Sequence, residues 1–398
     1  MSSSASAVTP PAAAPLRRSP DRDSHTGITA IEKDPLLPHH KPLVTKEEAN
    51  LSQQYGGETP STGWVSRLPA SWVPYIQLAR LSPPAALALI FFPHFFGALL
   101  SAIVSSTPPV KLLNTSFVIL LPGSFFFSNA AHAWNDLIDA PYDRLVSRTK
   151  KRPIARGAIS PSAAFIFCLT QAIGAAAVLW FGFPDPLGGI RYVLPNILGT
   201  AYYPYAKRHT HFSQIVLGAC LAWGVVVGFV GMEVEPFSFS RVFFLSTATR
   251  ETRGNWNGEN GGVNIPAVAL FTACVLWSAI YDTIYAHQDL KDDVKLKLKS
   301  TAVLFRDKTK PVLWGALAVM LGMLDLCGLK GGMHWPYYVI SLTGCGLSLG
   351  AMIRNVELKS SASCWWWFRY GFWLAGSSIA GGLVVEYLVR LGEEGFLL

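Results

Sequence analysis

From about residue 77 the chain alternates apolar runs of roughly 20 residues with short polar connections, the length a helix needs to cross a hydrocarbon core. This pattern predicts nine transmembrane helices, over 77–104, 113–136, 162–182, 189–205, 212–232, 264–288, 311–328, 334–354 and 367–390. The fourth is the weakest, because Pro195, Gly199 and Pro204 interrupt it. The expected fold class is all-α, a polytopic membrane protein. Residues 1–70 read differently: they are rich in Ser, Ala, Pro and charge with no amphipathic period, which predicts a disordered tail ahead of a transmembrane domain over 71–398. The stretch 233–264 reads as a flexible loop, with Gly254, Gly258, Gly261 and Gly262 near its end. Trp365-Trp366-Trp367 reads as an interfacial anchor.

Composition agrees with the pattern. Of 398 residues 51% are hydrophobic and 15% charged, with a mean hydropathy of +0.31, whereas soluble domains carry about 25% charged residues. The net charge of +8 comes from bases in short loops, so no nucleic-acid partner is expected and the lipid bilayer is the surrounding partner. Those bases concentrate after the second, fourth, sixth and eighth spans, which places these loops and the N-terminal tail on the inner face. Six widely spaced cysteines form neither a disulfide framework nor a zinc spacing. The first eighteen residues include Arg17 and Arg18 and no acid, as in a transit peptide, but Pro10, Pro11 and Pro15 would break the helix such a peptide needs. An endomembrane location is therefore expected, with the mitochondrial inner membrane as the alternative.

The candidate chemistry lies in two acidic clusters, Asn135-Asp136-Leu137-Ile138-Asp139-Ala140-Pro141-Tyr142-Asp143 and Asp289-Leu290-Lys291-Asp292-Asp293, each closing an apolar run on the inner face. Carboxylates at the mouth of a hydrocarbon-soluble helix are costly unless a cation neutralises them, so their recurrence points to polyvalent cations bridging the clusters. With Arg and Lys following each cluster, carboxylate-held Mg²⁺ describes a diphosphate site. Helical spacing puts Asp282, Tyr285, Asp289 and Asp293 on one face, and likewise Asp136, Asp139 and Asp143, although Pro141 should kink or end the helix. Two solvated helix ends are the bland alternative. A transporter is the rival from another class, but acids in its path should lie near the bilayer midplane, where only Asp325, Glu386 and few others occur. His132 and His287, each near a cluster, read as hydrogen-bonding partners and not as metal ligands.

Asn135-Asp136-x-x-Asp139-x-x-x-Asp143, Arg148-Thr149, Arg152-Pro153-Ile154-Ala155-Arg156-Gly157, Tyr281-Asp282-Thr283-Ile284-Tyr285-Ala286-His287-Gln288-Asp289 and Lys299-Ser300-Thr301 resemble the UbiA superfamily of intramembrane prenyltransferases. The resemblance runs from Arg80 onward. It is similar in wording to eukaryotic 4-hydroxybenzoate polyprenyltransferases and to fungal meroterpenoid prenyltransferases. It implies about nine helices around a central cavity, and Mg²⁺ held by Asn135, Asp136, Asp139, Asp143, Asp289 and Asp293. It further implies that the metal and these carboxylates, with Asp136, Asp139, Asp289 and Asp293 foremost in catalysis, act on an isoprenyl diphosphate, farnesyl being the expected group. Arg148, Arg152, Lys207 and Lys299 are then candidate phosphate clamps. Tyr203 and Lys207 match a Tyr-x-x-x-Lys pair near the family's pocket, and Arg80 would bind a carboxylate or enolate of the aromatic small-molecule acceptor. Phe91, Phe92, Phe95, Phe96, Phe125, Phe126 and Phe127 are candidates to line an isoprenoid channel, with lipid-facing packing as the alternative. Two departures bear on specificity. Ser82-Pro83-Pro84 follows Arg80-Leu81 where the family commonly has a charged residue, which disfavours a 4-hydroxybenzoate-like acceptor, and Lys297 replaces a usual glycine, which predicts an altered loop.

Overall fold

The computed structural model describes residues 63–82, 85–237 and 262–394. The tail up to residue 62 and the glycine-rich part of the 233–264 segment, with Gly254, Gly258 and Gly261, lie outside the described residues. Residues 63–70 carry one turn of 3-10 helix, Val65–Arg67, with Val65 buried. Among the described residues no β-strand forms; one isolated antiparallel bridge pairs Phe237 with Val263.

Among the described residues a short helix, α1 (Val73–Leu78), precedes nine long ones. These are α2 (Ala85–Ser105), α3 (Pro109–Asp143), α4 (Pro161–Gly182), α5 (Pro186–His209) and α6 (Ser213–Gly231), then α7 (Ile265–Lys295), α8 (Thr301–Gly331), α9 (Trp335–Asn355) and α10 (Ser361–Glu393). Among the described residues eight are long and apolar enough to cross a membrane. The other is α5, whose interior Pro195 and Pro204 and basic end lower its hydropathy. Its 24 residues still span about 36 Å, more than the hydrocarbon core requires.

Helix starts follow local chemistry. Ser160, Asp185, Asn264, Ser300 and Ser360 each accept a hydrogen bond on the side chain from a backbone N–H of the first turn. Helix ends run past the apolar windows: α3 reaches Asp143 instead of 136, α7 reaches Lys295 instead of 288, and α8 begins at Thr301 instead of 311. Backbone hydrogen bonding continues where hydropathy stops, since the last turns stand in the polar mouth. Pro141 does not end α3, because so near the helix end it removes a single intrahelical bond. The start of the first span is also corrected. No helix runs on from 77, since the amides of Pro83 and Pro84 cannot donate and the residue before a proline avoids the helical region. α1 stops at Leu78 and Arg80 turns back with φ +53°.

α7 is the central post, with 72% of its most apolar window buried against 11% for α4, which faces outward. Trp277 and Tyr281 of α7 pack with Phe96 of α2 and Phe368 and Phe372 of α10. α2 crosses the second half of α6 at backbone contact: a Cβ on Gly224 would lie 2.6 Å from His94 Nδ1, and one on Gly97 or Gly228 would overlap the facing main chain. Small residues four apart permit this approach. Gly228→Leu is expected to cost about 3 kcal/mol or more through overpacking, read as a lower melting temperature of the detergent-solubilised protein. At the end of α10 the fully buried Glu386 accepts from Arg390 Nε at 2.8 Å and from the His334 backbone at 2.8 Å, so this acid clasps helix ends together. Trp366 is exposed as an anchor would be, but Trp365 is buried against Phe368 and Tyr285.

Lys297 keeps the backbone a glycine would adopt, with φ +57°, so the loop after the second acidic cluster retains a left-handed turn despite the substitution. A non-glycine residue there is strained, and Lys297→Gly is expected to raise stability by about 1 kcal/mol, seen as a higher melting temperature.

Candidate active site

The two acidic clusters meet at one end of the bundle around a single cavity. Asn135, Asp139 and Asp143 line it from α3, while Tyr281, Asp282, Tyr285, Asp289 and Asp293 line it from α7, even though a 3-10 turn interrupts the helix at His287–Asp289. Asn135 Nδ2 donates to Asp139 Oδ2 at 3.3 Å, one helical turn on. Asp136 is placed differently. It is 2% exposed and stands behind the wall, accepting from Arg80 at 3.0 Å and pairing with Arg152 at 3.1 Å. In this structure it anchors two cavity-lining arginines and does not itself line the cavity.

The turns after α3 carry the bases across to α7. Arg148 is bidentate to Asp289 at 2.8 and 2.6 Å, donates to the Tyr285 hydroxyl at 2.7 Å and lies 4.8 Å from that ring's centroid. Arg152 pairs with Asp143 at 2.9 Å, and Thr149 Oγ1 donates to the Asp143 carbonyl. Asp292 accepts from the Ser147 backbone at 2.9 Å and ties the same turns down. Burial works against the charge of both arginines. Asp289 next to Arg148, and Asp143 and Asp136 next to Arg152, outweigh it and hold each guanidinium above its ordinary pKa.

The third side is α5 and α6. Tyr203, Lys207 and Arg208 line it, with Gln214, Leu217 and Cys220 beyond. Lys207 stands within electrostatic reach of Asp293, Asp139 and Asp289. Arg208 donates to the Ile138 carbonyl at 3.2 Å and lies over the Tyr142 and Tyr205 rings. Lys299 does not reach the cavity: its ammonium donates to the His209 carbonyl at 3.0 Å, and its backbone N–H to the Lys207 carbonyl at 2.7 Å. Lys299 therefore holds Lys207 in place from behind. His287 bonds Thr309 at 3.0 Å on the side of α8, away from the cavity.

Of the seven phenylalanines considered for a channel, only Phe127 is in the wall. Phe92 and Phe96 pack on Trp277, Phe91 and Phe95 on Phe117, and Phe125 on Phe126. The rest of the aromatic lining is Tyr142, Tyr203, Tyr281, Tyr285 and Phe368, joined by aliphatic residues such as Leu89 and Ile90. Gln214 and Arg208 line the cavity as well, outside the motifs that mark the site in the sequence. Gln214 was detectable as a lone amide opening an apolar run, and its Oε1 accepts from the Thr301 backbone at 3.0 Å.

Among the described residues no three His, Cys, Asp or Glu side chains already converge as a metal cage; arginines hold several of the carboxylates instead. The donor set nonetheless suits Mg²⁺. It is all oxygen, and Asp293 Oδ2 is buried with no hydrogen-bond partner, a costly condition that a hard cation relieves.

These features define an integral membrane protein with one chamber of facing acids and bases at the mouth of its helix bundle. The profile of the UbiA prenyltransferase family matches residues 90–376, and the chain belongs to that family of prenyltransferases. It is 29% identical over 361 residues to the mitochondrial 4-hydroxybenzoate polyprenyltransferase of Saccharomyces cerevisiae, covering 88% of this chain and 86% of the yeast protein. It is 30% identical to the UbiA prenyltransferase claS of Ampulloclitocybe clavipes, over 80% of this chain and 92% of claS. With the prenyltransferase ascA of Acremonium egyptiacum the identity is 31%, over 88% and 94%. Among solved structures, a UbiA homolog from Aeropyrum pernix superposes with a TM-score of 0.54 at 19% identity, covering 77% of this chain and 98% of that one. One from Archaeoglobus fulgidus bound to GPP and Mg²⁺ gives 0.53 at 15%, covering 79% and 99%. Both share the fold.

Proposed function

We propose that the enzyme transfers an isoprenyl group, preferentially farnesyl, from its diphosphate to a carbon of a phenolic or pyrone acceptor in meroterpenoid biosynthesis, with Mg²⁺ as cofactor. The observation that carries this reading is the chamber itself: Asp139, Asp143, Asp282, Asp289 and Asp293 face Arg80, Arg148, Arg152, Lys207 and Arg208 across one cavity. Such a wall is close to charge balance, so a diphosphate enters it together with its own cations. Asn135, Asp139, Asp143, Asp289 and Asp293 would hold Mg²⁺, which when bound neutralises charge on the departing diphosphate. Arg148, Arg152 and Lys207 present fixed positive charge where that leaving charge develops. Asp136 keeps Arg80 and Arg152 aimed, and Tyr203, Tyr281, Tyr285 and Phe368 offer π faces to an allylic cation while excluding water.

A second reading, 4-hydroxybenzoate prenylation in mitochondria, is supported by the yeast relative and its long alignment. Ser82-Pro83-Pro84 beside Arg80 speaks against it. Transport is disfavoured because the acids gather at the mouth, and the buried Glu386 is committed to Arg390 and the His334 backbone. The deciding experiment incubates membranes containing the protein with geranyl, farnesyl, geranylgeranyl and longer polyprenyl diphosphates against phenolic acids, alkylresorcinols and 4-hydroxy-2-pyrones, with Mg²⁺ or with EDTA. The expected result is a farnesylated product, identified by mass, that forms only with Mg²⁺. A product confined to long polyprenyl chains on 4-hydroxybenzoate establishes the second reading, and solute movement without any covalent product overturns both.

A further inference from the structure

His132 lies on α3 one turn before Asn135 and lines the cavity. Its Nδ1 is 2.7 Å from the Ser128 backbone oxygen. A carbonyl can only accept, so Nδ1 carries the hydrogen, and the Ser128 hydroxyl oxygen at 3.2 Å shares it. In the neutral ring this fixes the tautomer: Nε2 is left as a lone-pair acceptor. Among the described residues Nε2 has no hydrogen-bond partner, although its ring forms part of the wall of a chamber otherwise crowded with ion pairs.

Position along the helix says what this lone pair could meet. Seven residues separate His132 from Asp139, about 10 Å of helical rise, so the imidazole stands beyond the acidic rim on the membrane side. On the same helix Phe127 and Ala131 also line the wall on that side, Leu89 and Ile90 add apolar lining, and Arg80 and Arg152 are charged neighbours of the ring. There the hydrocarbon end of a diphosphate donor, its head held at the rim, has to meet an aromatic acceptor. An acceptor that is apolar apart from its hydroxyl needs one hydrogen-bond acceptor at this depth.

We infer that His132 Nε2 receives the hydroxyl hydrogen of the aromatic acceptor, making His132 a catalytic residue that selects acceptors with a free hydroxyl. This rests on the proposed prenyl transfer. In the reaction the C1–O bond of the donor breaks and its electron pair leaves on the diphosphate. The ring carbon beside the hydroxyl forms the new bond to C1 while the hydroxyl hydrogen passes to Nε2. The ring C–H proton then departs on a diphosphate oxygen, and Nε2 returns its hydrogen to the acceptor oxygen, restoring a phenol.

The test uses the purified full chain in detergent, with 5-pentylresorcinol and its dimethyl ether as probes and farnesyl diphosphate with Mg²⁺ as donor. Wild type should be stabilised against heat by the resorcinol more than by the ether. His132→Leu should erase that difference while keeping the stabilisation by donor, and kcat/KM for the resorcinol should fall by about 100-fold with the donor KM unchanged. His132→Gln, which can place an amide oxygen near Nε2, should restore part of the discrimination and serves as the folding-safe variant. If both variants distinguish the resorcinol from its ether as wild type does, His132 does not receive the hydroxyl and the inference is overturned. If wild type discriminates between the probes but forms no product with any donor, the prenyl-transfer reading fails, and with it the catalytic role given to His132.

Discussion

Asp289→Asn is expected to lower prenyl transfer by about 1000-fold at saturating Mg²⁺, since it removes an anionic oxygen from the chamber and frees the guanidinium that oxygen restrains. The geometry makes the loss twofold. Arg148 grips both carboxylate oxygens of Asp289 at 2.8 and 2.6 Å, with both side chains almost fully buried. An amide offers one acceptor in place of two and turns an N–H toward a group that only donates. Asp289→Ala should in addition destabilise the fold by about 3–5 kcal/mol, the usual consequence of leaving one member of a buried pair alone. The double variant Asp289→Leu with Arg148→Met separates these effects. Removing both charges should recover most of the melting temperature and none of the activity. Recovery of activity in the double variant would show that the pair serves the fold alone.

Lys207→Met should reduce kcat by about 100-fold to 1000-fold, the range seen when one preorganised electrostatic group is taken from a leaving-group site. Lys207 is the cation whose surroundings include Asp139 from one cluster and Asp289 and Asp293 from the other. Its backbone carbonyl is fixed by the Lys299 N–H at 2.7 Å, so the ammonium is carried on a stem whose root cannot wander. Lys207→Arg should not rescue, because a planar fork needs more room and a different approach than a compact ammonium. Lys299→Ala should weaken transfer far less than Lys207→Met, as the Lys299 backbone bond survives the change. Steady-state rates with donor and acceptor varied separately provide the check, and a Lys207→Met enzyme within tenfold of wild type would remove this residue from the site.

The helices were legible because nothing but a helix satisfies its own backbone in hydrocarbon, and a run of about 20 apolar residues is hard to mistake. Their ends were less so: Asp143, Lys295 and Thr301 lie where side chains turn polar while main-chain bonding persists. Both acidic clusters could be found from their spacing, since 282, 285, 289 and 293 fall on one helical face whatever the fold around them. Which acid looks into the chamber was not readable. Asp136 and Asp139 are neighbours on that helix, and only the arrival of Arg80 and Arg152 turns the first into an anchor. Basic residues posed a similar problem: inner-face topology accounts for Lys299 and Lys207 equally well, and the direction of one side chain separates them. Aromatic residues were the least legible. Phe92 and Phe127 look alike in a list of apolar positions, and the contacts that hold the first against Trp277 and Trp373 come from α7 and α10, far along the chain.

The glycine crossing of α2 and α6 gives the bundle an unequal compliance. Two main chains in contact at Gly97, Gly224 and Gly228 cannot close further. Beside that crossing α5, tied to it where Trp223 Nε1 donates to the Tyr192 carbonyl, is breached twice by proline, and each breach leaves one carbonyl without its ladder partner, so bending there meets little opposition. Accommodation of a bulkier isoprenoid therefore falls to the α5 flank. Variants that retune chain length should be sought around Thr200 and Tyr203, with the glycine seam left as the rigid part of the wall.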